Sequence, residues 1–85
     1  MPKSVFTPAY KILLEVLILA RHESGLTQEA LATRLGRPQS FVAKIERGER
    51  RLDVIEFCAV VRAMGLEPTA TFNKVVSRLP LDIEV

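Results

Sequence analysis

The sequence holds one cysteine, one histidine and no tryptophan among its 85 residues. A lone Cys58 excludes an internal disulfide framework. A lone His22 cannot build a histidine-rich metal site. The longest apolar stretch, Ile12 to Ala20, is nine residues and is interrupted by Glu15, which is too short to span a bilayer. No basic-then-apolar leader opens the chain, so no signal peptide is expected. There is no phosphate-binding glycine loop, zinc pattern or nucleophile elbow, and Asp53 and Glu56 read as helix-capping residues rather than as a catalytic pair. The expectation is therefore a protein that is not an enzyme and has no cofactor, metal or membrane partner. The charge is nearly balanced, with a net +2, which by itself says little about nucleic acid.

What is present fits one small globular domain. The chain is 48% hydrophobic and 26% charged, a composition that argues against disorder. A chain of this size buries only about 60–65% of its unfolded surface, so its own core is marginal and a partner subunit is a natural supplement. The expected domain is 1–85, with its core at about 8–79 and short tails at both ends.

Four glycines and five prolines cut the chain into helix-length intervals with helical apolar spacing. Five helices and no internal strand are expected. The first runs from Pro8 to Glu23 with Thr7 as N-cap. Its apolar perimeter, widened by Ile12, Val16, Ile18 and Leu19, leaves two readings open: a wide core helix, or a helix that partly meets a second subunit. The second runs from Gln28 to Leu35 behind a Thr27 cap, with Leu26 stapled to Leu31. The third runs from about Pro38 to Arg47. The fourth begins at an Asp53–Glu56 capping box, with Leu52 stapled to Phe57, and ends at Met64 before Gly65. The fifth starts near Pro68 and carries Phe72, Val75, Val76 and Leu79. Cys58 reads as a buried structural thiol, and His22 as a residue suited to a helix C-terminus. The alternating tail, Leu81 to Val85, is a weak strand signal.

The informative stretch is Gln28 to Arg47. Leu31, Ala32 and Leu35 face inward from one short helix, and Val42 and Ile45 from the next. Ala32 is small where the two axes cross, and Gly36 supplies the positive φ of a tight turn. These are the physical demands of a helix-turn-helix. From about Tyr10 to Leu79 the chain resembles the phage repressor/Cro (XRE-type) family of DNA-binding domains. The resemblance rests on Gly25-Leu26-Thr27-Gln28, on Leu31-Ala32-Thr33-Arg34-Leu35-Gly36, and on Lys44-Ile45-Glu46-Arg47-Gly48-Glu49-Arg50. It implies a compact all-α domain of five helices in which the second and third read DNA. Two positions depart from the family pattern. Position 37, usually apolar, is Arg37, which is expected to point outward at a phosphate. The next position, often a Ser cap, is Pro38.

Charge placement points the same way. Half of the twelve basic residues lie between Arg34 and Arg51, opposed there only by Glu46 and Glu49, so this window is locally +4. A duplex backbone would lie against such a face. A helix that enters the major groove reads bases with its N-terminal residues. The outward early positions of the third helix are expected to be Gln39, Ser40 and Ala43, with Lys44 one turn later. Gln39 suits adenine N6 and N7, Lys44 suits guanine O6 and N7, and Ala43 is placed for a thymine methyl. The resemblance also puts Gln39, Ser40 and Lys44 at base-contact positions. It implies a phosphate clamp at Gln28, where free amides at a helix N-terminus favour an anion. The other expected phosphate contacts are Arg47, Arg50 and Arg51, with Arg37 and Thr27 behind them. Arg21 and Glu46 fall at positions that the family uses for a brace between the first and third helices.

The resulting expectation is a sequence-specific double-stranded-DNA-binding transcriptional regulator, cytoplasmic and nucleoid-associated. It is expected to be a homodimer on a palindromic operator with half-sites about 10 bp apart. By resemblance and by apolar content, the dimer interface is assigned to Phe72, Val75, Val76, Leu79 and Ile83. The alternative is an antitoxin, or a protein-binding module on the same fold, that acts mainly through a toxin or another protein partner.

Overall fold

The computed structural model describes residues 7–84. It contains five helices: α1 Pro8–Glu23, α2 Gln28–Leu35, α3 Gln39–Glu46, α4 Val54–Ala63 and α5 Pro68–Val76. No strand occurs among the described residues, and residues 81–84 of the alternating tail are irregular; Val85 lies outside them.

Local chemistry sets the helix starts. The Thr7 hydroxyl accepts the Tyr10 amide at 3.1 Å, and the Thr27 hydroxyl accepts the Ala30 amide at 3.0 Å. At α4 both halves of a capping box form: the Asp53 carboxylate accepts the Glu56 amide at 2.7 Å, and the Glu56 carboxylate accepts the Asp53 amide at 3.0 Å. α3 starts differently from expectation. Pro38 is its N-cap rather than its first helical residue, with ψ at 156° and no side chain to cap the first turn. The ring fixes φ but leaves ψ free to remain extended.

The helix ends also differ slightly. α4 stops at Ala63, with Met64 as its cap. α5 stops at Val76, short of Leu79, and continues as tight turns in which Arg78 and Leu79 donate to the carbonyls of Val75 and Val76. Pro80 disfavours helical backbone at Leu79.

α2 and α3 are joined by three residues. Gly36 takes a left-handed φ of 67°, where a side chain would be strained. The turn lets the Arg37 amide donate back to the Ala32 carbonyl at 3.0 Å, which satisfies a carbonyl that the ending helix would leave free.

The core has two connected parts. Leu17, Leu31, Val42, Phe57 and Val61 anchor the larger one, which joins α1 to α4, and Leu26, Leu35 and Leu52 pack against it. Tyr10, Leu14 and Ile45 form the smaller one between α1 and α3. The Tyr10 hydroxyl also accepts the Leu52 amide at 2.9 Å, so it is satisfied while its ring is buried. Most of the wide apolar face of α1 is consumed by these contacts, and Val16 is buried; Leu19 remains largely exposed. The core reading of α1 therefore accounts for most of its surplus. Cys58 is only half-buried, because it sits at the edge of an apolar groove rather than inside the core.

Candidate nucleic-acid interface

A chain of four polar side chains crosses from α1 to the exposed N-terminus of α3. Arg21, on the last turn of α1, is 7% exposed. Its Nε donates to Glu46 Oε2 at 2.7 Å and its Nη2 to Glu46 Oε1 at 3.0 Å. Its Nη1 donates to the Leu26 carbonyl at 2.9 Å. Glu46, at the end of α3, also accepts from Gln28 Nε2 at 2.8 Å. Gln28 Oε1 in turn accepts from Gln39 Nε2 at 2.8 Å. Both side chains of the pair are 9% exposed and joined by a forked pair of hydrogen bonds, the condition under which losing one partner is most damaging.

This arrangement leaves defined capacity on Gln39. A primary amide has two donor hydrogens and an acceptor oxygen. Gln39 uses one hydrogen on Gln28, so its Oε1 and second hydrogen remain for a ligand on the exposed side of α3. Ser40 and Lys44 are also exposed, and the charge of Lys44 adds to the lowering of the Glu49 carboxyl pKa. Thr27 accepts a hydrogen bond at its cap and keeps its own hydroxyl proton for donation.

Ala43 is corrected. Expected to face outward, it is 5% exposed. On α3 it lies between Gln39 and Glu46, four residues before it and three after. Gln28 bonds to both of those side chains and so spans the strip in which the methyl sits. At that burial its methyl is not presented on the exposed side of α3.

The basic cluster is partly spoken for. Arg47 Nε donates to Glu49 Oε2 at 2.6 Å, a bond that lowers the Glu49 carboxyl pKa and raises that of the Arg47 guanidinium. Arg50 donates to both carboxylate oxygens of Glu56, at 3.1 and 2.5 Å. That pairing, with the Asp53 amide, takes the Glu56 pKa down to about 2. Arg37 and Arg50 both lie over the Phe41 ring, at 4.7 and 4.8 Å from its centroid, and Arg51 lies over the Tyr10 ring at 4.6 Å. Such contacts fix the position of each guanidinium against a ring face. Arg34 donates to the Ala63 carbonyl at 3.0 Å and so caps the C-terminus of α4. This last role leaves no mark in local sequence, because the two residues are 29 positions apart.

The face assigned to a second subunit is also sorted by the structure. Phe72, Val76 and Ile83 are about half exposed, and Leu79 is half-buried. Val75 differs from expectation: at 3% exposure it packs into its own core, one helical step from Val76. Two residues that pattern-reading overlooked, Val54 and Ile55, are exposed on the first turn of α4. Their apolar character beside a capping box was the available signal.

A short helix, a left-handed glycine turn and a second helix braced by a buried ion pair define a helix-turn-helix domain. The helix-turn-helix domain family matches residues 13–72. An XRE-family-like protein from Pseudomonas syringae pv. tomato is 51% identical, covers 85% of this chain and 88% of its own, and superposes with a TM-score of 0.79. The chain belongs to the XRE-type helix-turn-helix family, a family of transcriptional regulators and not an enzyme class. An uncharacterized HTH-type transcriptional regulator of Sinorhizobium fredii, y4dJ, is 39% identical over 46 residues, which are 54% of this chain and 60% of that protein's length. The fold is shared with the restriction-modification controller protein C.Esp1396I at 21% identity and a TM-score of 0.76, over 85% of this chain and 94% of that one. Among the described residues no helix is long and apolar enough to cross a membrane, and no group of residues is suited to hold a metal ion.

Proposed function

We propose that this chain regulates transcription by binding double-stranded DNA sequence-specifically, with α3 in the major groove. The observation that carries this reading is the Arg21–Glu46–Gln28–Gln39 network. It fixes the orientation of Gln39 and leaves it one donor and one acceptor, the pair that matches N7 and N6 of adenine. Lys44 is the second base-reading residue, for guanine, and Ser40 the third. Phosphates are held by the exposed Thr27 hydroxyl, the amides that open α2 and the remaining N–H of Gln28. Arg37, Arg47, Arg50 and Arg51 supply charge from the flank. The acidic partners Glu49 and Glu56 hold Arg47 and Arg50 in place and reduce the net charge of that flank.

In this reading two copies bind a palindromic operator with half-sites about one helical turn apart, and act as a repressor on the nucleoid in the cytoplasm. A second reading, an antitoxin or another module acting through a protein partner, is favoured by one observation only: the apolar hollows between α1, α4 and α5 lie away from α3.

Selection from random duplexes, followed by salt titration of the winning site, separates the two. An enriched two-fold-symmetric site with a steep salt slope supports the first reading. Failure to enrich any duplex would leave the second.

A further inference from the structure

We propose that the groove where the helix-turn-helix meets α4 docks an acidic peptide segment of another protein, and that this segment and DNA exclude one another. The docking stands on the groove itself, and the exclusion rests on the DNA reading above.

The groove has a volume of about 200 Å³ and is lined by Leu35, Arg37, Phe41, Glu56, Ala59 and Val60. Leu35 ends α2, Arg37 lies in the turn, Phe41 is the third residue of α3, and the other three belong to α4. Leu35 and Phe41 are half-buried and Val60 is buried, so the lining is apolar apart from its two charged members. Ala59 is exposed and is the smallest side chain in the lining. Its methyl leaves open a space that a longer side chain would fill. Small-molecule sites run to roughly 300–1,000 Å³, and this groove is instead the size for one or two side chains.

The surroundings of the groove are cationic. Arg37 and Arg50 lie 4.7 and 4.8 Å from the centroid of the same Phe41 ring. Arg34 Nη1 donates to the Ala63 carbonyl, one turn along α4 from Ala59. Glu56 is the one carboxylate in the lining, and both of its oxygens already accept from Arg50. Three guanidiniums therefore surround a single carboxylate that is already engaged. The polar contacts of the Arg37 side chain among the described residues are the Phe41 ring and the charge of Glu56. Neither is a hydrogen bond, so its donors remain for a bidentate carboxylate.

A DNA backbone would satisfy these cations but leave the apolar lining in water. An acidic peptide with one apolar side chain matches both, in the way that arginine clusters recognise acidic motifs. In the DNA reading Arg37 and Arg50 also supply charge to the duplex. A docked peptide takes them from the phosphates, and its own negative charge repels the backbone.

Fluorescence anisotropy of the full chain with two labelled heptapeptides tests the docking. One carries six glutamates around a central leucine, and the other has serine in place of the leucine. The leucine peptide should bind about tenfold more tightly, the scale of burying one aliphatic side chain. Ala59→Gln fills the groove with a neutral side chain of good helix propensity. It should keep the circular dichroism of the wild type and its affinity for the selected duplex, and should lose the leucine preference. Arg37→Ala should weaken binding of both peptides. Added to the complex with the selected duplex, the leucine peptide should displace the DNA. Equal binding of the two peptides, binding of neither, peptide binding unchanged in Arg37→Ala, or a leucine preference that survives in folded Ala59→Gln overturns the docking. A leucine peptide that joins the duplex complex without displacing DNA overturns the exclusion alone. Failure to select any duplex overturns the DNA reading and the exclusion, while the peptide titration still decides the docking.

Discussion

Gln39 donates a hydrogen bond from Nε2 to Oε1 of Gln28 at 2.8 Å, joining the first residues of the two helices of the motif. A side chain at the tip of a reading helix would otherwise sample several rotamers, and ordering it on contact with a base would cost conformational entropy. The bond to Gln28, itself anchored on Glu46, orders Gln39 before any ligand arrives.

Gln39→Ala should therefore weaken binding to the selected site by about 1–3 kcal/mol and relax the preference at a single base pair. Gln28→Ala should reproduce part of that loss without contacting the base. A double-mutant cycle on the same duplex should show the two effects to be non-additive. Additive effects would mean that Gln28 does not position Gln39.

The ion pair between α1 and α3 should dominate stability. Removing one partner of a buried, hydrogen-bonded pair costs about 3–5 kcal/mol. Arg21→Ala and Glu46→Ala should each lower the unfolding free energy obtained from urea titration by an amount in that range. Arg21→Met with Glu46→Leu should recover part of the loss, because both charges are removed together. That double variant should still bind DNA poorly, since Gln28 loses its acceptor.

Residues that touch phosphates should behave differently from those that read bases. Lys44→Ala should change the sequence preference. Arg51→Ala should weaken every duplex about equally and reduce the slope of log affinity against log salt by about one. Fluorescence anisotropy at several salt concentrations distinguishes the two patterns.

Glu56 supplies a pH-dependent contribution to stability. Its folded pKa is lowered from 4.5 to about 2, chiefly by the Arg50 guanidinium and then by the Asp53 amide. A depressed folded value means that the contribution is fully present above the unfolded pKa near 4.5, and is lost as pH falls toward about 2. Thermal midpoints measured between pH 6 and pH 2 should fall through that window. In Glu56→Gln the fall should be shallower.

Much of this molecule is legible in its sequence, for a definable reason. The starts of α1, α2 and α4 are written in the side chains that cap them, Thr7, Thr27 and Asp53, and capping is a contact across three residues. Gly36 marks its turn because few other residues tolerate its backbone. The misreadings share the opposite property. Ala43 and Val75 occupy helix positions that look available, and both are buried, at 5% and 3% exposure, once the neighbouring helices pack. Arg50 looks like a free cation until α4 brings Glu56 to it, and Arg34 until the end of α4 does the same. Helical periodicity shows which residues share a face. What covers that face is tertiary information.

Whether α3 reads bases through Gln39 is decided by randomised-duplex selection run in parallel on the wild-type chain and Gln39→Ala. A palindromic consensus is expected for the wild type, with one base pair in each half-site losing its preference in the variant and the remainder unchanged. An identical consensus for both proteins, or none for the wild type, would contradict it.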